Sequence, residues 1–461
     1  MKRIVLIRPN IDKDYPFGKL PAYLPLGLGF IAGVLKAERY DVKIIDCYLN
    51  ALSLDDVLQT VKIHDPLFVG ISVHISSTEN TNQLSDLLVH NGFYVVLGGP
   101  QVTVFPDKTM LESKANLGVV GEGERTIVEI AKRLIQNNYK MEDVQGVIYL
   151  SDSGLKKTQS PVPIQNLDSL PFIPWELFPY KKYAQDAPEL KKKPLGWMST
   201  SRGCPWNCSF CSNIYVWGRK YRCMSPKRIA DEMIHLNTNF GINAIDFRED
   251  NFTVDRKRVI DLCRLIKERR LHLEWMCESR VDIVDDELLR EMSTAGCSAI
   301  YFGIESGTQR ILDFLNKGFK LEEVYKAVKL CKKNRIKTIT SVMLGIPTQT
   351  MEENLETVNF LKRIKSDVVY FNAFIGIPGS KTYEHIIKKG LIYKTAGDII
   401  LANSEFLTWP EKLNLKQRVE ILYNLNPRVF LGHLKRMGLQ RLIKKILLTL
   451  RRYFSSRKTI S

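Results

Sequence analysis

Three cysteines stand within eight residues, in the run Ser201-Arg202-Gly203-Cys204-Pro205-Trp206-Asn207-Cys208-Ser209-Phe210-Cys211. At C-x3-C-x2-C spacing a single loop brings three thiolates to one centre. Three thiolates hold three irons of a 4Fe–4S cluster and leave the fourth open to a chelating small molecule. A structural zinc site normally closes with four Cys or His ligands, and no partner pair at finger spacing follows. A redox dithiol needs only C-x2-C. The other cysteines, Cys47, Cys223, Cys263, Cys277, Cys297 and Cys331, are scattered and read as small core residues. None follows Cys331 to hold an auxiliary cluster. An odd total of nine, three of them crowded together, argues against a disulfide framework and for a reducing cytosol.

The loop needs a scaffold, and the sequence supplies one. An apolar segment, Leu195–Ser199, precedes it as a first strand. Further strand-like runs at Ala244–Phe247, Glu274–Cys277, Ala299–Ile304, Thr338–Leu344 and Val368–Phe374 alternate with amphipathic helical stretches. Six βα units are fewer than the eight that close a barrel. Active residues in such a fold lie at the carboxyl ends of the strands.

A second α/β unit precedes this one. Apolar runs at Ile4–Ile7, Val42–Ile45, Leu67–Val73, Tyr94–Leu97 and Leu117–Val120 alternate with helical segments, which predicts a doubly wound parallel sheet. Ligands of such sheets bind at the carboxyl ends of the strands. Those ends carry Asp46, Ser72, Gly98-Gly99-Pro100 and Gly121-Glu122-Gly123-Glu124. Between the units, Pro161, Pro163, Pro171, Pro174, Pro179, Pro188 and Pro194 favour an extended crossing strap.

Together these features resemble the radical S-adenosylmethionine enzymes that carry a cobalamin-binding domain in front of the cluster domain. Matching stretches in the first unit are Pro25-Leu26-Gly27-Leu28-Gly29, Val69-Gly70-Ile71-Ser72, Leu97-Gly98-Gly99-Pro100 and Val120-Gly121-Glu122-Gly123-Glu124. The resemblance implies an α/β chain: a Rossmann-like cobalamin domain over 1–140, a Pro-rich linker over 141–195, a partial (β/α)6 radical domain over 196–385, and a helical basic extension over 386–461. It implies cluster ligands Cys204, Cys208 and Cys211. S-adenosylmethionine contacts are expected from Phe210, Glu249 and Asp250 (methionyl ammonium), Arg280 (carboxylate), Glu305 and Ser306 (ribose), and Gly345 (adenine). Cobalamin contacts are expected from Asp46, Ser72, Gly98, Gly99, Gly121 and Glu122. Mutase-type domains ligate cobalt with the histidine of Asp-x-His-x-x-Gly; here the stretch reads Asp46-Cys47-Tyr48-Leu49-Asn50-Ala51, so cobalt lacks that ligand, and His74 is the other candidate.

The implied reaction is hydrogen abstraction by a 5′-deoxyadenosyl radical, followed by methyl delivery from cobalamin to an unactivated carbon. Cyclisation or rearrangement of a lipid or natural-product intermediate is the alternative, and the substrate is a small or lipid-like molecule. An external electron donor such as flavodoxin or ferredoxin is implied. A methylthiotransferase would need three further cysteines in the first unit, which has only Cys47, and a strand-rich RNA-binding end. A non-enzymatic cobalamin sensor would have no use for the cysteine loop.

Charge sits at the end of the chain. Of the net +17, ten positive charges from Arg428 to Lys458 follow the last acidic residue, Glu420. Residues 412–454 have helical periodicity, with Leu439, Leu442, Ile443, Ile446, Leu447 and Leu450 opposed by basic residues. A helix packed on the barrel, or one lying on an anionic membrane surface, both fit that pattern. No apolar run is long enough to span a bilayer, and nothing at the start resembles a signal peptide, so the expected location is cytoplasmic, with possible contact at the inner membrane face.

Overall fold

In the computed structural model, described for residues 2–15, 21–185, 187 and 189–424, the chain forms two parallel sheets joined by the proline strap. The first sheet contains β1 (Arg3–Arg8), β2 (Asp41–Asp46), β3 (Val69–Ser72), β4 (Val95–Gly98), β5 (Leu117–Val119), β6 (Val147–Ser151) and β7 (Gly154–Lys157), in the order β2-β1-β3-β4-β5-β6-β7. The first five strands are parallel, as the alternation predicts. Isoleucines and valines of β1 and β3 are almost wholly buried, because helices cover both faces.

The first sheet extends beyond the expected boundary at residue 140. Strands β6 and β7 form an antiparallel hairpin that pairs with β5. The three-residue β5 would otherwise be a bare edge. The turn at Asp152-Ser153-Gly154 allows the hairpin, with Gly154 at φ +102°.

The strap is not a free tether. It carries three short 3-10 turns, and Ile164, Leu167, Leu170, Ile173, Trp175 and Phe178 share one core with the second domain. Its seat on the first domain is a small-residue groove: a Cβ added to Gly29 would lie 2.7 Å from Ile173 Cγ2.

The ribbon strands β9 (Ser201–Arg202) and β10 (Arg222–Cys223) flank the cysteine loop. The second sheet consists of β8 (Leu195–Met198), β11 (Ala244–Phe247), β12 (Glu274–Ser279), β13 (Cys297–Glu305), β14 (Lys337–Leu344) and β15 (Val368–Ala373). All are parallel, in the order β15-β14-β13-β12-β11-β8. It is therefore an open six-stranded barrel, as the six apolar runs predict.

The extension over 386–461 is not helical throughout its described part. Strands β16 (Ile392–Ala396) and β17 (Ile399–Ala402) form a hairpin whose turn uses Gly397 at φ +57°. At that turn, Asp398 accepts from Gln101 and Lys108 of the first domain. A helix then runs from Trp409 to Asn424 and packs on β15 and β14. The expected helix over 439–454 lies outside the described residues. Among the described residues, no helix is long and apolar enough to cross a membrane.

Candidate active site

The cysteine loop leaves β9 at the carboxyl end of the barrel. Its backbone is pinned at Ser209, whose N–H donates to Leu315 O at 2.9 Å and whose carbonyl accepts from Thr382 N at 2.9 Å. Cys204, Cys208 and Cys211 are free and half-buried. Burial pushes the Cys204 thiol up and the Cys211 thiol up to about 11, with the nearby Asp250 carboxylate adding to both. Iron binding would replace those protons. Among the described residues no metal-holding geometry is pre-assembled, yet the donor set fits: three thiols on one loop and no fourth to close the site.

Asp250 lies beside the cysteines with one oxygen free. Asn213 Nδ2 donates to one carboxylate oxygen at 2.6 Å, while the other is buried without a partner. Burial first, then the Glu249 charge, lift this carboxyl to about 6. An orphaned acceptor beside the cysteines is what a methionyl ammonium would satisfy. The Phe210 ring packs on a cluster containing Ile346, the residue after Gly345, and Phe374.

Three other expected contacts are engaged by groups of the protein itself. Glu249 is turned away from the loop. Its carboxylate accepts from Thr200 N and Oγ1 at 3.0 Å each, and pairs with Arg258 at 3.7 Å. Arg280 spends its fork on Asp282, at 2.9 and 2.8 Å. Its remaining nitrogen lies 3.9 Å from Cys208 Sγ, and its plane covers Trp206 at 4.5 Å. It therefore braces the cysteine loop. Ser306 is fully buried and bonded to Thr308 and Thr357 at 3.2 and 3.3 Å. Glu305 is held at φ +70° with Lys317 Nζ 3.4 Å from its carboxylate, and Lys317 also lies over Phe210 at 5.6 Å.

On the first domain, Ser72, Gly98, Gly99 and Gly121 cluster at the ends of β3, β4 and β5. Gly99 has φ +101° and no room for a side chain, since a Cβ would stand 2.8 Å from Val73 O. Gly98 faces open space, where an added Cβ would meet nothing nearer than Val119 at 4.0 Å. This gap is the cradle in which a corrinoid would fit. His74 stands on the loop just past β3, with Nδ1 bonded to Ser76 Oγ at 3.1 Å; desolvation of the ring, then the Arg8 charge, lower its pKa.

Asp46 and Glu122 are both engaged by groups of the protein. Asp46 caps the short helix Cys47–Asn50 through Leu49 N at 2.9 Å, accepts from Tyr183 Oη at 2.8 Å and pairs with Arg8 at 3.4 Å. Glu122 reaches across the domain boundary. It accepts from Ile164 N at 3.0 Å and from Arg202 at 2.8 Å, and is also bound by Arg222, while Glu124 takes the second Arg202 nitrogen. All four side chains are almost fully buried. Sequence reading missed Arg202 and Arg222, although the charge reversal between Glu-Gly-Glu and the residues flanking the cysteine loop was a signal. It missed Lys412 too, a fully buried lysine whose Nζ has no partner among the described residues.

The comparisons agree with this geometry. Residues 198–361 match the radical SAM superfamily model and residues 22–131 the B12 binding domain model. An uncharacterized methyltransferase of Pyrococcus horikoshii is 33% identical over 419 residues, covering 88% of this chain and 89% of that protein. The chain belongs to the cobalamin-binding radical S-adenosylmethionine enzymes. Its cofactors are accordingly a 4Fe–4S cluster, S-adenosylmethionine and cobalamin. The cytidylyl-2-hydroxyethylphosphonate methyltransferase of Streptomyces wedmorensis is 27% identical, covering 80% of this chain and 78% of that one. Among solved structures, the cobalamin-dependent radical enzyme OxsB with aqua-cobalamin and S-adenosylmethionine bound has a TM-score of 0.77 at 17% identity, covering 98% of this chain and 71% of that one. Radical methyltransferase TsrM from Kitasatospora setae has a TM-score of 0.71 at 18% identity, covering 86% and 76%. Both share the fold of this family member.

Proposed function

We propose that this enzyme methylates an unactivated carbon of a small molecule. The observation that carries the reading is the way the first domain meets the barrel mouth. Glu122, just beyond β5, grips Arg202 two residues before the first cluster cysteine. Tyr23, on the loop after β1, lies under the Arg248 guanidinium just beyond β11, at 4.5 Å. The carboxyl ends of both sheets therefore open onto one space, which suits a radical generated on one side and a methyl group offered from the other.

When bound, the cluster and S-adenosylmethionine supply a 5′-deoxyadenosyl radical, and cobalamin supplies the methyl group. The chain's own residues do the rest. Asp250 would orient the methionyl end, Phe210 and Ile346 would wall the adenosyl end, and Arg280 braces the loop against Trp206. Relatives named as methyltransferases support methyl transfer. A magnesium-protoporphyrin monomethyl ester cyclase of Rubrivivax gelatinosus, 29% identical, represents the alternative of ring closure. For the basic end of the chain, we propose peripheral contact with anionic lipid, which would show as salt-sensitive co-sedimentation with vesicles.

The test uses the full chain, reconstituted anaerobically with iron, sulfide and cobalamin, and S-adenosylmethionine deuterated in its methyl group. Label should pass to cobalamin, and 5′-deoxyadenosine should form under reduction. Replacing Cys204, Cys208 and Cys211 by Ala should abolish the 5′-deoxyadenosine. Deoxyadenosine formation without transfer of label would move the assignment to cyclisation.

A further inference from the structure

The loops that enter the strands of the second sheet lie at the end of the barrel opposite the cysteine loop. In each of them the backbone turns left-handed: at Gly241 (φ +66°) before β11, Arg270 (+51°) before β12, Gly296 (+97°) before β13, Arg335 (+61°) before β14 and Lys365 (+56°) before β15. Glycine takes this conformation freely, whereas a side chain strains it. The loops before β11 and β13 hold the expected glycine. Those before β12, β14 and β15 each hold a long cation instead.

Contacts within the chain do not account for these cations. A positive charge at a helix end meets the negative pole of the helix dipole. Here that attraction is already supplied by Lys267, Lys332 and Arg363, in the last turns of the helices Arg256–Glu268, Leu321–Lys333 and Met351–Ile364. Ion pairing is absent as well. Lys267 is answered by Glu291 and Lys333 by Asp286, both at 2.6 Å, but Arg270, Arg335 and Lys365 are exposed and have no carboxylate partner among the described residues.

The strap adds charge to the same end. Lys191 N and Lys192 N donate to Glu274 Oε2, on the first residue of β12, at 2.6 and 2.8 Å. Lys193 O accepts from Asn243 Nδ2, just before β11, at 2.9 Å. The backbone of Lys191-Lys192-Lys193 is thus pinned under the strands, and the side chains are exposed. Between the strap and the two neighbouring helix ends opens a cavity of about 350 Å³, lined by Lys192, Lys267, Arg270, His272 and Thr294 and by no carboxylate. The acids next to these loops in the chain are Glu268 and Asp367, and Asp367 already accepts from Thr338 N at 2.9 Å.

We propose that the amino end of the barrel is a docking face for the anionic surface of a lipid bilayer. The cavity seats a head-group phosphate between Lys192 and Arg270, and Arg335 and Lys365 meet neighbouring head groups. This extends the lipid reading of the tail to the folded barrel, and the experiment below separates the two. Two observations favour lipid over nucleic acid. None of these loops carries a Phe, Tyr or Trp on which a base could stack. The course of the chain is the second. The helix Trp409–Asn424 starts near the carboxyl ends, with Lys412 across Gly345, and runs along β15 to Tyr423, whose ring centroid is 5.5 Å from that of Phe371. It leads toward the amino end just before ten cations that stand among Leu442, Ile446 and Leu450 with no acid. Cations interspersed with apolar residues suit a lipid interface. Docked this way, the catalytic mouth opens away from the bilayer.

The experiment is co-sedimentation of the anaerobically reconstituted full chain with vesicles of phosphatidylcholine, with and without phosphatidylglycerol. Binding should need phosphatidylglycerol and decline as salt rises. The triple variant Arg270→Gly, Arg335→Gly, Lys365→Gly should bind roughly 10- to 100-fold more weakly, since each cation near such a surface adds a comparable increment. Glycine relieves each of these backbones, so the melting temperature should be kept. A charge-matched control, Lys227→Gln, Lys257→Gln, Lys326→Gln, changes exposed residues in the first halves of their helices and should bind like the parent. Equal binding of parent and glycine variant would leave the tail as the lipid contact and overturn the barrel face. Equal loss in both variants, no binding by the parent, or tighter binding of the parent to poly(A) or duplex DNA than to the vesicles would overturn it too.

Discussion

The Arg202 guanidinium donates to Glu122 at 2.8 Å across the boundary between the two domains, two residues before the first cluster cysteine. Both side chains are 6% exposed or less, so this pair is shielded from water and salt. Removing one partner of such a pair leaves the other charge buried and unmatched. Glu122→Gln should therefore destabilise the protein by about 3–5 kcal/mol, read as a fall in the urea midpoint. The acid limb gives a second signature. Burial alone would raise the Glu122 carboxyl, but the hydrogen bond from Arg222 and the Arg202 charge outweigh it and hold the group below its ordinary value. A depressed carboxyl contributes stability above its unfolded pKa and loses it as pH falls through the folded one. The variant should lack that part of the acid transition.

Asp250 and Glu249 are neighbours with separable effects. Only Asp250 keeps a carboxylate oxygen without a partner. Asp250→Asn should weaken S-adenosylmethionine binding by roughly 10- to 100-fold in calorimetric titration, with little change in melting temperature. Glu249→Gln should do the reverse, because its carboxylate serves Thr200 and Arg258. Equal effects of the two on affinity would contradict this division.

Why the sequence leaves Asp250 and Glu249 equivalent while the fold does not has a physical answer. A strand end reveals which residues are near the site, and the cysteine spacing reveals the chemistry. Neither reveals which of two adjacent carboxylates turns outward. That choice is made by Arg258, near the start of the helix Arg256–Glu268, an element whose periodicity says only that it is amphipathic. The partners of Glu122 are hidden in the sequence for a similar reason. It does lie at the carboxyl edge of β5, where ligands bind, but Arg202 and Arg222 arrive from a separate domain. The β5–β6 pairing was hidden too, since Val147–Ser151 alone is as consistent with a stray edge as with a sheet's closing hairpin. The eleven parallel strands were legible because fully buried strands read as unbroken apolar runs bounded by turns.

Gly98 and Gly99 offer a paired test of the corrinoid cradle. Gly99→Ala would force an alanine to φ +101° with its Cβ 2.8 Å from Val73 O, and should cost about 1–3 kcal/mol of stability. Gly98→Ala meets no obstruction nearer than 4.0 Å, so the fold should be kept. Its methyl group would instead enter the open space at the end of β4. Cobalamin retention, measured from the absorbance of anaerobically loaded protein, should therefore fall in Gly98→Ala without a matching fall in melting temperature.

Lys412 carries the last prediction. Its methylenes cross the backbone at Gly345, and its amine lies 5.7 Å from the centroid of Phe374 with no acceptor among the described residues. Burial alone lowers this amine to about 7. Unfolding returns it to water and its ordinary value of 10.5. Below about 7 both states hold the proton and the folded state bears the full cost of burying a charge. Between the two values only the unfolded state holds it, so stability rises with pH across that window. Above the upper value neither state is charged and the cost is gone. Lys412→Met keeps the packing volume and removes the charge. It should raise the melting temperature at pH 7, by an amount corresponding to about 2 kcal/mol or more, and flatten the rise in stability between neutral and alkaline pH. Thermal melts of both proteins across that range decide it: a variant no more stable than the parent at neutral pH, with the same slope, would mean that the amine is not buried uncompensated.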